Sequence, residues 1–169
     1  MALIQFTYVS GLLERAVPVQ VILPADKLNP QGAYLPPKKY KTLYLLNGYL
    51  GCHTDWVSGT RIQRWAEERD LAVVMPAGEN SFYVDRPGFY ADYGKFVGQE
   101  LVEMTRRIFP LSERKEDTFI GGLSMGGYGA MPVPFDAFDY KNFTILVKEV
   151  DDNRIVGLII LEHHFTTEE

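Results

Sequence analysis

The sequence predicts an α/β fold with a parallel central sheet and a C-terminal β-hairpin, on three observations. Apolar runs of strand length alternate with segments of helical periodicity over roughly the first 123 of the 169 residues, which is typical of parallel strands joined by helices. The run at 42–46 is apolar on both faces, as in the centre of a parallel sheet. Two β-rich runs, 143–150 and 154–161, flank Asp-Asp-Asn and favour a hairpin.

The first elements follow from local composition. β-Branched and aromatic residues at 4–9 predict a strand, and the apolar run at 17–23 predicts its partner. Three prolines and a glycine mark 27–39 as a loop, after which the buried strand 42–46 begins.

Helices and strands then alternate. A helix is expected at 60–69, with Ile62, Trp65 and Ala66 on its buried side, and a second buried strand at 71–75. The clearest helical spacing, closed by a proline, is that of Val97, Leu101, Met104 and Ile108. A strand is expected to follow at 117–123.

Composition excludes several functional classes. The net charge is −5 and no Lys/Arg-rich run stands out, so nucleic acid is not an expected partner. Cys52 is the only cysteine, which rules out an intramolecular disulfide and clustered thiols for a zinc site. Without a basic leader or an apolar run of membrane-spanning length, we expect a soluble, cytoplasmic protein. The chemistry expected of the segment 118–130 needs no metal or organic cofactor.

The segment 118–130 carries the chemistry. It reads Thr-Phe-Ile-Gly-Gly-Leu-Ser-Met-Gly-Gly-Tyr-Gly-Ala, an apolar strand followed by Gly-x-Ser-x-Gly and a glycine-rich helix start. Such a turn presents a serine hydroxyl as a nucleophile, here Ser124, and needs small residues two positions before and after it. The N–H of Met125 is expected to face a developing oxyanion. The alternative is an incidental glycine-rich turn between a strand and a helix.

An upstream turn supplies a second candidate donor. Residues 45–51 read Leu-Leu-Asn-Gly-Tyr-Leu-Gly, an apolar strand that ends in a glycine-rich turn. Hydrolases with a serine on such a turn take their other oxyanion donor from a loop after an earlier strand. Tyr49 N–H is the first candidate and Leu50 N–H the second, the alternative again being a plain turn.

These two segments, with Trp56 and the order of the elements between them, resemble the esterase D-like, tributyrin esterase branch of the α/β-hydrolases over about residues 1–130. The resemblance implies an α/β-hydrolase fold and a serine carboxylesterase acting on short-chain or small acyl esters, S-formylglutathione among them. Tyr83, Tyr90 and Tyr93 fall in the region that roofs the family's sites, where they are expected either to contact substrate or to pack at the rim.

The chain departs from this family in two places. Asn47 stands where the family often has His, which changes the hydrogen bonds of the loop but not the triad. The tail does not match the downstream strands, acid and histidine of the family. We therefore expect 1–131 to be the N-terminal part of an incomplete α/β-hydrolase domain, and 132–169 to be a non-matching tail with the hairpin, packed on the same domain.

The tail leaves the catalytic base open. His163 and His164 follow Ser124 and several acids in the order of a Ser-acid-His triad, but a polar terminus favours a solvated pair. His53 follows the oxyanion loop and is not expected at the position of the base. Weak or absent turnover is therefore predicted.

The competing hypothesis is a non-catalytic fragment that self-associates into a homo-oligomer through an exposed sheet edge or apolar face.

Overall fold

The computed structural model describes residues 1–86 and 91–129, together with the backbone of strands at 137–140, 143–151 and 154–162. The chain divides into two compact units, Met1–Ala130 and Met131–Glu169. The predicted packing of the tail on the N-terminal domain stays a prediction.

The first unit is built on a five-stranded mixed sheet. Its strands, in the spatial order β1-β2-β4-β3-β5, are β1 Ala2–Ser10, β2 Arg15–Leu23, β3 Lys41–Leu46, β4 Leu71–Pro76 and β5 Thr118–Gly122. β3 runs parallel to both β4 and β5, whereas β1, β2 and β4 are joined by antiparallel pairs. The predicted parallel centre and the predicted pairing of the first two strands are confirmed.

Helical segments connect the parallel strands. They are α1 Asp55–Gly59, α2 Ile62–Glu68, α3 Tyr93–Lys95, a π-helical turn Phe96–Glu100, α4 Leu101–Ile108, a 3-10 turn Lys115–Asp117 and α5 Met125–Gly129. The predicted helices at 60–69 and 97–108 are confirmed in place. α1 and the π-helical turn were not predicted. No helix in the described part of the chain has the length and apolar character needed to cross a membrane.

The strand β3 is covered on both faces, as its composition predicts. Tyr44 lies in the larger core cluster with Leu101 of α4, and Leu45 lies in the smaller cluster with Ala66 of α2. Adjacent strand residues point to opposite faces, so each face of β3 receives its own helix. The Tyr44 hydroxyl is also hydrogen-bonded to the buried Thr105 hydroxyl at 2.8 Å.

Trp65 is more exposed than predicted. Ile62 and Ala66 are buried as expected, but Trp65 is 48 % exposed. On a helix, Ala66 lies one turn above Ile62, whereas Trp65 lies to the flank of that line. The seven residues of α2 therefore bury a narrow stripe that leaves the indole outside.

The second unit is a three-stranded antiparallel sheet in the order β6-β7-β8. β7 spans Phe143–Asp151 and β8 spans Arg154–Glu162, which confirms the predicted hairpin. β6, Ala137–Tyr140, pairs with β7 and was not predicted, because its four residues are too few to show a period.

Candidate active site

Ser124 lies between β5 and α5 with a left-handed backbone, at φ +54°. Such a φ is strained for a residue with a β-carbon, by about 1–3 kcal/mol. Gly126 N–H donates to Leu123 O at 3.0 Å and closes the turn around it. The backbone therefore has the sharp strand-to-helix turn that the motif predicts.

The two glycines flanking Ser124 are required by close packing. A β-carbon at Gly122 would lie 2.5 Å from the carbonyl carbon of Gly126. A β-carbon at Gly126 would lie 2.5 Å from Leu46 O, at the end of β3. Both distances are shorter than any real contact of a β-carbon. The backbone of the turn therefore packs directly against its own strand and against the neighbouring strand.

The upstream turn 47–50 lies beside this elbow. β3 and β5 are adjacent and parallel, with Leu46 paired to Gly122, so both chains leave the sheet at the same edge. A β-carbon at Gly48 would lie 3.5 Å from Leu123 O, which is ordinary contact. The structure thus brings together the two segments that the sequence singled out.

The candidate oxyanion donors differ in availability. Leu50 N–H donates to Asn80 Oδ1 at 2.9 Å, so the second candidate is already engaged. Tyr49 N–H and Met125 N–H have no acceptor among the residues that the structure describes. Met125 also begins α5, where the N–H groups of the first turn lack partners within the helix.

Asn47 connects the upstream turn to the end of β4. Its side chain is 1 % exposed, and its Oδ1 accepts from the Tyr83 hydroxyl at 2.5 Å and from Gly78 N–H at 3.2 Å. Its Nδ2 donates to Gly48 O at 2.9 Å. The sequence marked Asn47 as a departure from the family pattern and did not reveal these partners.

Tyr83 and Tyr93 are buried, which favours packing over substrate contact. Tyr83 is 2 % exposed, and burial raises its pKa. The Tyr93 hydroxyl accepts from the Arg15 guanidinium at 2.9 Å and donates to Glu79 at 3.1 Å. Tyr90 lies outside the described residues.

The histidines supply no base to Ser124 in the described part of the chain. Both ring nitrogens of His53 are buried there without a hydrogen-bond partner. Burial lowers the His53 pKa, and the nearby Asp55 carboxylate opposes that effect. His163 and His164 fall outside the described residues, so their predicted alternatives stay open. No cluster of potential metal ligands occurs among the residues that are described.

The sequence matches a family model over residues 10–139, the Esterase family, described as "Putative esterase". The chain belongs to this esterase family. It is 44 % identical over 140 residues to an acetyl esterase of Caldicellulosiruptor saccharolyticus, across 78 % of this chain and 50 % of the relative.

Solved esterase structures share the fold. An S-formylglutathione hydrolase (FrmB) of Staphylococcus aureus matches with a TM-score of 0.65 and 34 % identity, over 77 % of this chain and 50 % of that one. FphF, a fluorophosphonate-binding serine hydrolase of the same organism, matches with a TM-score of 0.67 and 36 % identity, over the same shares. The predicted α/β-hydrolase resemblance is confirmed, and this esterase-family chain spans about half the length of the relatives it matches.

Proposed function

We propose that this chain carries a serine carboxylesterase centre for short-chain or small acyl esters, with Ser124 as its nucleophile. The Ser124 oxygen adds to the ester carbonyl carbon while its proton passes to a base. The tetrahedral oxyanion then collapses, the bond to the alcohol oxygen breaks, and the alcohol leaves with a proton. Water releases the acyl group by the same steps, which regenerates the serine.

The left-handed backbone of Ser124 carries this proposal. Strained non-glycine residues persist where the surrounding structure holds them, and they concentrate at functional sites. Seven other described non-glycine residues also have a left-handed φ, so the feature that distinguishes Ser124 is this φ together with the close packing on both sides of the turn. The close packing at Gly122 and Gly126 supplies the force that holds the strain.

Tyr49 and Met125 are the proposed oxyanion donors. Their N–H groups belong to the two turns that meet through Gly48 and Leu123, and neither has an acceptor among the described residues. One such donor contributes about 10²–10³ in rate in serine hydrolases.

The side chains around the two turns favour an apolar substrate group. The Tyr49 ring packs on Phe82 with centroids 5.7 Å apart, and both Leu50 and Leu123 are exposed. The names of the acetyl esterase and the S-formylglutathione hydrolase support a small acyl group as the acyl part of the substrate.

Turnover is expected to be weak in this chain. No histidine is hydrogen-bonded to Ser124 among the described residues, and the match covers only 50 % of the acetyl esterase. Without a triad partner, the oxyanion donors and binding alone leave a residual rate of about 10³–10⁴ over water.

Two measurements test the proposal with one control. A fluorophosphonate probe should label the chain at Ser124, and p-nitrophenyl acetate or butyrate should be hydrolysed faster by the chain than by Ser124→Ala. Equal labelling and equal hydrolysis in both proteins reject the esterase proposal for this chain. Labelling without turnover supports an assembled nucleophile that lacks its base.

The open side of β5 favours a second candidate, a self-associating module. Among the strands that the structure describes, β5 pairs only with β3, and Phe119 on it is 45 % exposed. Unpaired strand edges are templates for pairing with another chain. Size-exclusion chromatography with light scattering decides this candidate, since a monomer across the accessible concentration range rejects it.

A further inference from the structure

We propose that Asn47 is a positioning residue, which turns the Gly48–Tyr49 peptide so that Tyr49 N–H faces the Ser124 turn. This inference rests on the proposed function, because it assigns a cause to the orientation of one proposed oxyanion donor.

The peptide plane between Gly48 and Tyr49 links the orientations of two groups. Gly48 O and Tyr49 N–H belong to one planar trans peptide, so they point in opposite directions. Whatever holds the Gly48 carbonyl therefore also aims the Tyr49 N–H. Two donors hold that carbonyl, the Asn47 side-chain amide at 2.9 Å and Gly51 N–H at 3.1 Å.

Asn47 is itself fixed from the opposite side. Its Oδ1 accepts the Tyr83 hydroxyl at 2.5 Å and Gly78 N–H at 3.2 Å, which leaves the Nδ2 end facing Gly48. A flipped amide would set its N–H against Gly78 N–H and its oxygen against Gly48 O, so only the observed orientation makes all three bonds. The Tyr83 ring in turn occupies the space beside Gly78, where a β-carbon would lie 2.0 Å from the ring.

The three bonds require a side chain at position 47 that both accepts and donates. An aspartate could still accept from Tyr83 and Gly78 but could not donate to Gly48 O. An alanine would lose all three bonds and leave the buried Tyr83 hydroxyl with only its 3.4 Å contacts to Pro76 O and to the backbone N–H of residue 47. Position 47 thus needs an acceptor toward β4 and a donor toward the oxyanion loop, and an asparagine side chain offers both.

The test compares two substitutions at this position with a matched control. Asn47→Asp removes the donor and adds a negative charge, whereas Asn47→Ala removes the side-chain bonds without adding a charge and keeps the test valid if a buried carboxylate prevents folding. Tyr44→Phe is the control, because it removes a hydrogen bond of another buried hydroxyl, that to Thr105, without touching the loop. Melting temperatures place the three variants on one stability scale.

The first readout is amide hydrogen exchange, which does not depend on reactivity. Gly51 N–H should exchange at least about tenfold faster in the Asn47 variants, because its acceptor is Gly48 O. Gly126 N–H, bonded to Leu123 O, should keep its rate, and Tyr44→Phe should change neither. An unchanged Gly51 rate in both Asn47 variants overturns the inference.

The second readout is the second-order rate of fluorophosphonate labelling at Ser124. This rate should fall about 10- to 100-fold in the Asn47 variants, because a Tyr49 N–H that points elsewhere stabilises the transition state less. It should be unchanged in Tyr44→Phe. Faster exchange with unchanged labelling overturns the catalytic half of the inference. If the unsubstituted chain is labelled no faster than Ser124→Ala, the proposed function itself fails, and exchange at Gly51 still decides whether Asn47 holds the loop.

Discussion

Gly126 packs so closely on the end of β3 that a β-carbon at this position would lie 2.5 Å from the carbonyl oxygen of Leu46. The contact joins the turn that presents Ser124 to the strand that leads into the oxyanion loop. The relative position of the two proposed functional segments is therefore set by backbone packing, since neither partner can move without moving a strand or a helix start.

Gly126→Ala should disrupt this contact. The added methyl group must displace backbone, so we expect a loss of about 1–3 kcal/mol in the free energy of unfolding and a large loss of labelling at Ser124. Urea denaturation and probe labelling measure the two effects. Gly98→Ala is the matched control, because nothing lies within 4 Å of its added β-carbon and its helical backbone suits alanine. Equal stability of the two variants would refute the packing argument.

Much of this fold could be predicted because its signals are local. Residues 42–46 and 71–75 are apolar on both faces, and buried parallel strands are the structures that accept such runs. The spacing of Val97, Leu101, Met104 and Ile108 likewise placed a helix; the first three are buried, whereas Ile108 is 56 % exposed. The turn at Ser124 could be predicted because Gly122 and Gly126 meet a steric requirement that lies within five consecutive residues.

The supporting contacts could not be predicted, because they join distant residues of ordinary type. Asn47 and Tyr83 are 36 positions apart, and nothing in either neighbourhood specifies the other. Trp65 became exposed because a short helix buries a narrower stripe than its apolar residues suggested. Tertiary packing decides both cases, and a single sequence does not encode it as a period or a motif.

Glu100 joins the helical segment to the hairpin of β1 and β2. Its carboxylate accepts from the Ser10 hydroxyl at 2.5 Å and from Gly11 N–H at 2.6 Å. Glu100→Gln keeps the shape but removes the charge and turns one of the two acceptor oxygens into an amide donor, so the free energy of unfolding should fall by about 1–2 kcal/mol. Glu103→Gln, which removes only an exposed pairing with Arg107, serves as the control and should change little. A Glu100 variant as stable as this control would refute the role.

Asp70 should contribute a pH-dependent part of the stability. Hydrogen bonds from Lys27 and Lys38 hold its pKa below the ordinary 3.8. The folded state therefore takes up the proton less readily than the unfolded state, so the ion pairs stabilise the fold above about pH 4. That contribution is lost as the pH falls through the lowered pKa.

Asp70→Asn tests this sign. The carboxylate is 43 % exposed and screened, so the variant should lose only about 0.5–1 kcal/mol at pH 7 and low salt. The difference should shrink below about pH 4 and in 1 M salt. Asp26→Asn is the control, since Asp26 has no ion pair among the described residues and its left-handed backbone suits asparagine equally well. A difference that grows in acid would contradict the argument.

The backbone strain at Ser124 should be measurable as a difference in the free energy of unfolding between two variants that both lack the hydroxyl. At φ +54°, glycine is unstrained, whereas a residue with a β-carbon is strained. Ser124→Gly should therefore be more stable than Ser124→Ala by about 1 kcal/mol, although both lack the hydroxyl and neither should be labelled. Urea denaturation of the two variants isolates the backbone term, because the removal of the hydroxyl is common to both.

The reference for this stability difference is the same pair of substitutions at a serine without backbone strain. Ser58 lies within α1, where glycine should be less stable than alanine by about 1 kcal/mol. Opposite signs at the two positions would assign the difference at position 124 to its left-handed backbone. If glycine were the less stable replacement at 124 as well, the turn would hold no strain, and the observation that carries the proposed nucleophile would be lost.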